Sequence, residues 1–376
     1  MRILGFGTYD ITRHPRIGII LEGMRSAGDE VTEANSPLRI STAERVEMLR
    51  KPWLAYRLIV EVLRGWLVIT VAATRARRRG SFDAVLVGYM GHFDVVLARL
   101  LFPRTKIVLD QLIFAADTAR DRGVNGSWKA GILRTIDSVA TACADVIVVD
   151  THEHLALIAP SRRSRAVVVP VGALSEWFEV AGGSSGDRLQ PLRVVFFGLF
   201  TPLQGAPVVG AALGLLADYD GIEATMIGRG QDFAAARAAA VANRRVLWRD
   251  WIEPDDLPAT VAAHDVCLGI FGTTPKARRV VPNKVYQGAA AGCAIVTSET
   301  PPQLTALKDA ATFVSPGDAE ALAAALRRLT ADRALVADRA TAASERARHD
   351  FTPSAVAGHL RPFLTSPTPG RRSHSR

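Results

Sequence analysis

The chain has 376 residues, 48% hydrophobic and 22% charged, with a formal net charge of +9. That composition is globular, long enough for two cores of ordinary size, and excludes a low-complexity or fibrous chain. The basic balance favours anionic partners, namely nucleotides, phospholipid head groups or nucleic acid. No nucleic-acid-reading motif or basic stripe interleaved with aromatics is present, so no nucleic acid is expected among the partners. Cys143, Cys267 and Cys293 are far apart and form no CxxC pair, which argues against a disulfide framework or a zinc site and fits a reducing, cytoplasmic compartment. Met1 to Gly7 leads directly into a strand and turn, without the apolar run and cleavage site of a signal peptide.

The first strand, Arg2 to Gly7, ends in a glycine-containing loop, and Ile17, Ile20, Leu21 and Met24 mark the inner face of the helix after it. Gly5 and Gly7 are a Gly-x-Gly without the third glycine of a dinucleotide fingerprint, yet Gly7 lets a ligand approach the backbone. His14 and Arg16 follow and can face that ligand or simply solvate a helix entry. Residues 53–79 carry Trp53, Leu54, Tyr56, Leu58, Ile59, Val62, Leu63 and Trp66 at helical spacing, then an apolar run closed by Arg75, Arg77, Arg78 and Arg79. The run is shorter than the ~20 residues a membrane span needs. Two readings stay open: a buried helix with a solvated arginine end, or an interfacial helix on an anionic membrane surface.

Four more apolar strands are predicted in the first half: 83–89, 106–110, 145–150 and 166–170. Ligands bind outside the carboxyl ends of parallel strands, so Tyr89, His92, Asp110 and Asp150 belong on a functional rim, with Asp117 in the following polar loop. The small polar stretch 181–187 reads as an interdomain linker. A second β/α series follows, with strands at 193–197, 221–227, 245–248, 266–270, 294–297 and 311–314 and alanine-rich helices at 232–241 and 319–329. The class is therefore α/β, two Rossmann-like domains facing a central cleft. The tail 366–376, rich in Ser, Pro and Arg, reads as disordered.

The second series carries the stronger ligand signal. Phe196 and Phe197 run into a loop bounded by Gly198 and Gly205, which contains Thr201 and Gln204. Arg229 stands between Gly228 and Gly230, and a guanidinium there suits a diphosphate. Trp251 and Ile252 can wall in a nucleobase. Val281-Pro282-Asn283-Lys284-Val285-Tyr286-Gln287 then opens a short small-residue helix that Gly292 stops before the strand Ala294-Ile295-Val296. Its first turn aims backbone N–H groups and the Lys284 ammonium at one spot, and Gln287 shares that face.

The order strand-Gly-loop-Gly, Ile227-Gly228-Arg229-Gly230, Trp248-Arg249-Asp250-Trp251-Ile252, His264-Asp265-Val266 and Pro282-Asn283-Lys284-Val285-Tyr286-Gln287-Gly288 resembles the C-terminal half of family 4 retaining GT-B glycosyltransferases. Val169-Pro170-Val171-Gly172 is similar to that family's element before the linker. The resemblance implies an acceptor domain at 1–180, a nucleotide-sugar domain at 190–348 and a helix at 349–365 crossing back to the first. It implies donor contacts from Gly7, Thr201, Gln204, Arg229, Ile252, Asn283, Lys284 and Gln287, and an acceptor side at His14, Arg16 and Tyr89. If a base exists, Asp110, His92 and Asp117 are the candidates, although front-face attack needs no protein nucleophile. No Asp-x-Asp metal motif is found, so no metal and no cofactor beyond the sugar nucleotide is expected. Two departures stand out: Arg279 and Gln287 occupy positions where the family has glutamates, and the loop after the first strand holds Leu199 and Gln204 where many members have Arg and Lys.

The activity so implied is metal-independent transfer of a sugar, with retention, from a nucleotide diphosphate to a lipid-linked or envelope glycan, by a protein peripheral on the inner membrane face. A nucleotide-sugar epimerase and a non-catalytic nucleotide- or membrane-binding homologue are the alternatives.

Overall fold

The computed structural model describes residues 1–12, 14–38, 55–121, 127–180 and 191–366, and the chain divides into two compact units, Met1–Pro170 with Pro353–Arg376 and Val171–Thr352. The linker 181–187, Trp53, Leu54 and the tail beyond Ser366 lie outside the described residues.

The first unit is built on six parallel strands, β1 (Arg2–Gly7), β2 (Glu30–Asn35), β3 (Ala84–Val87), β4 (Lys106–Asp110), β5 (Val146–Val149) and β6 (Ala166–Val168), in the order β2-β1-β3-β4-β5-β6. Strands β3 and β5, Ala-Val-Leu-Val and Val-Ile-Val-Val, are buried throughout, as a parallel sheet covered on both faces requires. The helices are α1 (Arg16–Ser26), α2 (Ala55–Arg77), α3 (Asp94–Leu101), α4 (Ala115–Asp121), α5 (Ser127–Cys143), α6 (His152–Leu155) and the last helix of the chain, Pro353–Thr365. Strand β2 has little sequence signal: Glu30-Val31-Thr32-Glu33-Ala34-Asn35 is an edge strand with one fully buried position, Ala34.

The last helix packs along α1. A Cβ at Gly23 would stand 1.9 Å from the Pro353 carbonyl oxygen, so only glycine allows that approach. The Lys106 ammonium donates to the Phe363 and Leu364 carbonyls at 2.8 and 2.7 Å, closing the helix end with a cation where the dipole favours one. The opposite face of the sheet is covered by α2, α3 and α5, whose Ile69, Ala73, Val95, Ala98 and Ala140 share one core with the strands. Helix α2 corrects the buried-helix reading of 53–79. Only its inner face, with Gly65, Ile69 and Ala73, is buried, and its outer face presents Tyr56, Leu63 and Leu67 to solvent. Among the described residues no helix is long and apolar enough to cross a membrane.

The second unit repeats the plan with β7 (Leu192–Phe197), β8 (Ile222–Ile227), β9 (Val246–Arg249), β10 (Val266–Leu268), β11 (Ala294–Ser298) and β12 (Ala311–Val314), all parallel, ordered β12-β11-β10-β7-β8-β9. Its helices are α7 (Glu176–Glu179), α8 (Ala206–Gly214), α9 (Phe233–Ala239), α10 (Leu257–Ala262), α11 (Asn283–Ala290), α12 (Pro301–Leu307), α13 (Ala319–Ala331) and α14 (Arg333–Asp350). Residues 171–180, placed with the first domain on sequence grounds, pack with this unit instead. The Ala173 N–H donates to the Phe351 carbonyl at 2.9 Å, and Trp177 stacks on Phe197 with centroids 6.0 Å apart. The helix expected from 349 starts at Pro353, because α14 runs through Asp350 and Phe351 is held edge-on by Tyr286 at 4.7 Å.

Each sheet has one point where the strand order reverses, β1/β3 in the first unit and β7/β10 in the second. In open α/β sheets that crevice is where ligands bind.

Candidate functional site

In the second unit, β7 delivers its chain to the switch point through Phe196, Phe197 and Gly198. Gly198 has φ +123, and the neighbouring Gly228 has φ +126 with its would-be Cβ 2.0 Å from the Gly198 carbonyl oxygen. The two loops are knitted by the Gly198 N–H to Ile227 and the Phe200 N–H to Arg229, at 3.0 and 3.1 Å. At the far end of the β7 loop, Gly205 takes the left-handed conformation, φ +67, against the backbone of Phe271 and Gly272. Glycines are thus required by close backbone approach, and they leave the strand ends without side-chain cover.

Helix α11 brings the chemistry. Pro282, in extended conformation, is its N-cap residue and Asn283 its first helical one, a position later than the preference of asparagine for N-caps suggested. At the other end Gly292, φ +84, stops the helix as expected, and the Cys293 N–H returns to the Gly288 carbonyl at 3.0 Å. Lys284 is buried, and its Nζ has no hydrogen-bond partner among the described residues. The ammonium sits 3.6 Å from the centroid of the Phe196 ring and beside Gly198. Burial pulls its pKa from the usual 10.5 down to about 7, with the Cys267 thiol as the nearby group that acts in the opposite direction. A cation–π contact offsets part of that cost but supplies no counter-charge. A buried ammonium without a hydrogen-bond partner, at a helix N-terminus and beside a glycine strand end, is chemically suited to an anion.

The other predicted donor residues fall around the same strand ends. Thr201 is buried at the start of the 3-10 turn Pro202–Gln204, and Gln204 has a buried Oε1 without a partner. Asn283 and Gln287 are half-buried, one turn apart on α11. Ile252 is half-buried next to an exposed Trp251, whose indole N–H donates to Glu253 at 3.2 Å. Arg229 is exposed and already paired: its Nη2 donates to Asp250 at 2.5 Å, and its guanidinium lies over the Phe233 ring at 4.9 Å. Its charge is therefore matched within the protein, whereas that of Lys284 is not. Gly7 lies in the first unit, at the end of β1, where a Cβ would stand 2.9 Å from Asp94 Oδ2. It shapes the β1 loop there.

Sequence reading missed Phe196 as the ring under the ammonium, because a phenylalanine in a buried strand looks like any core residue. It also missed the buried network at the end of β11. There Gln303 joins Thr297, Ser298 and Thr300, and the Thr297 hydroxyl accepts from the Ile270 N–H at 3.2 Å.

In the first unit, the rim residues are brought together in pairs. Arg16 is buried at the start of α1, donating from Nε to Asp110 Oδ1 at 2.7 Å and from Nη2 to the Val169 carbonyl at 3.0 Å. Asp110 is buried too. Burial pushes its carboxyl pKa up and the Arg16 guanidinium opposes that shift. The predicted base and the predicted acceptor residue are thus partners of one another. His92 is buried, with Nε2 2.9 Å from Asp137 Oδ1 and 3.2 Å from Gln111 Nε2. His14 and Tyr89 stack with centroids 3.7 Å apart. Asp117 stands in the first turn of α4. Asp94, unassigned by the sequence reading, accepts from the Thr8 backbone, the Thr8 hydroxyl and the Trp66 indole, which fixes the β1 loop. Among the described residues no group of three His, Cys, Asp or Glu side chains is placed to hold a metal.

Residues 191–332 match the family model described as Glycosyl transferases group 1. Similar solved structures include sucrose-phosphate synthase from Thermosynechococcus elongatus (13% identity, 96% of this chain and 97% of that one, TM-score 0.68). Anabaena HepE in complex with UDP-glucose is similar over 97% of this chain and 99% of that one (14% identity, TM-score 0.67). The trehalose-6-phosphate synthase OtsA aligns over the same shares (14% identity, TM-score 0.66). No curated protein sequence matches. The fold is the GT-B fold, and its second unit, over residues 191–332, is similar to the group 1 glycosyl transferases.

Proposed function

We propose that this chain is a retaining glycosyltransferase that takes a sugar from a nucleotide diphosphate and passes it, without a metal, to a lipid-linked or envelope glycan. The observation that carries the reading is Lys284, a buried ammonium with no internal counter-charge at the N-terminus of α11 and the end of β7. Departure of a nucleoside diphosphate leaves negative charge on its β-phosphate. A cation and helix N–H groups held in place before reaction stabilise that charge without reorganising. Thr201 and the Gln204 amide would hold the phosphates or the sugar, and Asn283 and Gln287 the ribose hydroxyls, since an amide both donates and accepts. Ile252 would border the base.

UDP is the natural first probe, since Anabaena HepE, similar in fold, has been seen with UDP and with UDP-glucose. The acceptor is assigned to the first unit, where the His14–Tyr89 stack offers a flat surface to a sugar ring. Asp110 would act there by holding Arg16 rather than as a base, leaving His92 and Asp117 as the groups able to take a proton. The protein would work from the cytoplasmic side, peripheral to the membrane.

The test is release of nucleoside diphosphate from a panel of sugar nucleotides, with and without glycolipid acceptors, by wild type and Lys284→Ala. Acceptor-dependent release that Lys284→Ala abolishes supports the proposal, and unchanged release by the variant overturns it. UDP binding without turnover under any condition would favour a non-catalytic nucleotide-binding protein. Arg279 and Gln287, standing where the resembling family carries glutamates, give that alternative its footing.

A further inference from the structure

The first unit carries a surface that neither the donor site nor the fold uses. On α2, Tyr56, Ile59, Leu63, Leu67 and Val71 recur at helical spacing and all are exposed, Leu67 at 71%. Arg57, Arg64 and Arg75 run along one edge of that stripe at the same repeat, and all three are exposed, followed by exposed Arg78 and Arg79. The stripe is not alone. Helix α3 touches both α2 and α5 on the same face of the sheet. It contributes Leu100, 72% exposed, and α5 adds Trp128, Ile132 and Val139 at i, i+4 and i+11, with Trp128 64% exposed. Three neighbouring helices thus turn their core sides to one sheet and large apolar side chains to solvent.

The exposed charged side chains described on these three helices are basic. The acidic residues of α2, α3 and α5 are Glu61, Asp94 and Asp137. Each is already engaged: Glu61 by Arg64 at 3.1 Å, Asp94 by Thr8 and Trp66, and Asp137 by His92 and the Ala115 N–H. Arg64 shares its charge with Glu61, whereas the other exposed arginines, Arg57 and Arg75 on α2 and Arg134 on α5, face no such cancellation on these helices. Large exposed apolar side chains on adjoining helices mark an interaction site, and such side chains edged by arginines and a tryptophan suit the head-group region of an anionic bilayer.

We infer that the α2–α3–α5 face docks this protein on an anionic lipid surface, with Leu63, Leu67, Leu100 and Trp128 entering the head-group boundary and Arg57, Arg64 and Arg75 contacting lipid phosphates. The apolar stripe would drive insertion and the arginines would select charge. This deepens the lipid-linked acceptor reading, yet its test is independent of the donor site.

The experiment is co-sedimentation of the full-length protein, without nucleotide, with vesicles of phosphatidylcholine alone or mixed with phosphatidylglycerol. Binding to the anionic vesicles should be at least about tenfold tighter and weaken with added salt. Leu63→Glu/Leu67→Glu should abolish it while circular dichroism and UDP binding stay unchanged, since both side chains are exposed. Arg57→Glu/Arg64→Glu/Arg75→Glu should remove the preference for anionic lipid. The blue shift of tryptophan emission on binding should shrink in Trp128→Phe. Equal binding to both vesicle types, binding that survives the double leucine variant, or no binding at all overturns the inference. So does a solution dimer that Leu67→Glu dissociates, because the face would then be covered by a second copy of the chain.

Discussion

Replacement of Lys284 by methionine tests the site at its centre, and its signature is a dependence on pH. The lysine is buried and its pKa lies near 7 in the folded protein, against 10.5 for an ordinary lysine. The unfolded chain therefore binds more protons than the folded one between those values. Stability then rises with pH across that window, and below pH 7 the full cost of holding a buried cation is present. At about 1.4 kcal/mol per unit, that full cost is on the order of 5 kcal/mol, and roughly 3 kcal/mol of it is relieved between pH 6 and pH 9. Urea unfolding of wild type and Lys284→Met at the two pH values should differ in slope by about that amount. The variant should be the more stable protein at pH 6, because methionine fills the same slot over Phe196 without a charge. Binding gives the complementary measurement. A bound diphosphate would supply the counter-charge, so at pH 8 wild type should take up close to one proton per UDP, and far less at pH 6. Calorimetry in buffers of different ionisation enthalpy reads that number directly. Parallel stability profiles for the two proteins, or UDP binding in wild type without proton uptake at pH 8, would refute the assignment of Lys284 as an uncompensated buried cation.

Arg16→Met strands Asp110 as an unpaired buried carboxylate and should cost about 3–5 kcal/mol, most of it recovered in Arg16→Met/Asp110→Leu; urea denaturation decides between this and independent effects. Gly23→Val drives a side chain into the Pro353 carbonyl, so the thermal midpoint should fall and protease cleavage near residue 353 should accelerate. Arg229→Ala removes an exposed pair with Asp250, so the denaturation midpoint should not move, and any loss of UDP affinity would then report a direct phosphate contact. Gln287→Glu places a carboxylate one turn along α11 from Lys284. It should raise the lysine pKa, flatten the stability profile above pH 7 and weaken UDP binding.

The sheets were legible because their strands are continuous apolar runs, which a parallel sheet demands on both faces. Strand β2 was not, because an edge strand needs little burial and Glu30 to Asn35 supplies little. Lys284 and Gly292 could be placed from local rules of helix entry and exit. The partners of Arg16 and Asp110 could not, since 94 positions separate them and nothing local links a rim carboxylate to a helix-entry arginine. Arg229 illustrates a different failure. Its glycine neighbours advertise a ligand loop, but Asp250, which takes up its charge, belongs to the next strand's loop, 21 positions on, and nothing local links the two. Residues 53–79 held two readings because helical spacing reveals a face without saying what covers it. The structure leaves the outer face of α2 in solvent, which the spacing alone could not decide.

Arg16 and Lys284, buried cations of the first and second unit, are accommodated in opposite ways. An arginine is a permanent cation, so burying one obliges the chain to bury a counter-charge, and for Arg16 that counter-charge is Asp110. The pair is complete without a ligand, which makes it a device for fixing α1 against β4 beneath the first unit's strand ends. A lysine has the other option. It can lose its proton when the site is empty, and a pKa near 7 puts the neutral and charged forms within easy reach of each other. The chain can therefore leave Lys284 without an internal partner, cushioned on Phe196. An internal carboxylate at that point would compete with phosphate for the ammonium. With glutamine at 287, the proposed sugar nucleotide would bring the charge that Lys284 lacks and would carry it away again as nucleoside diphosphate.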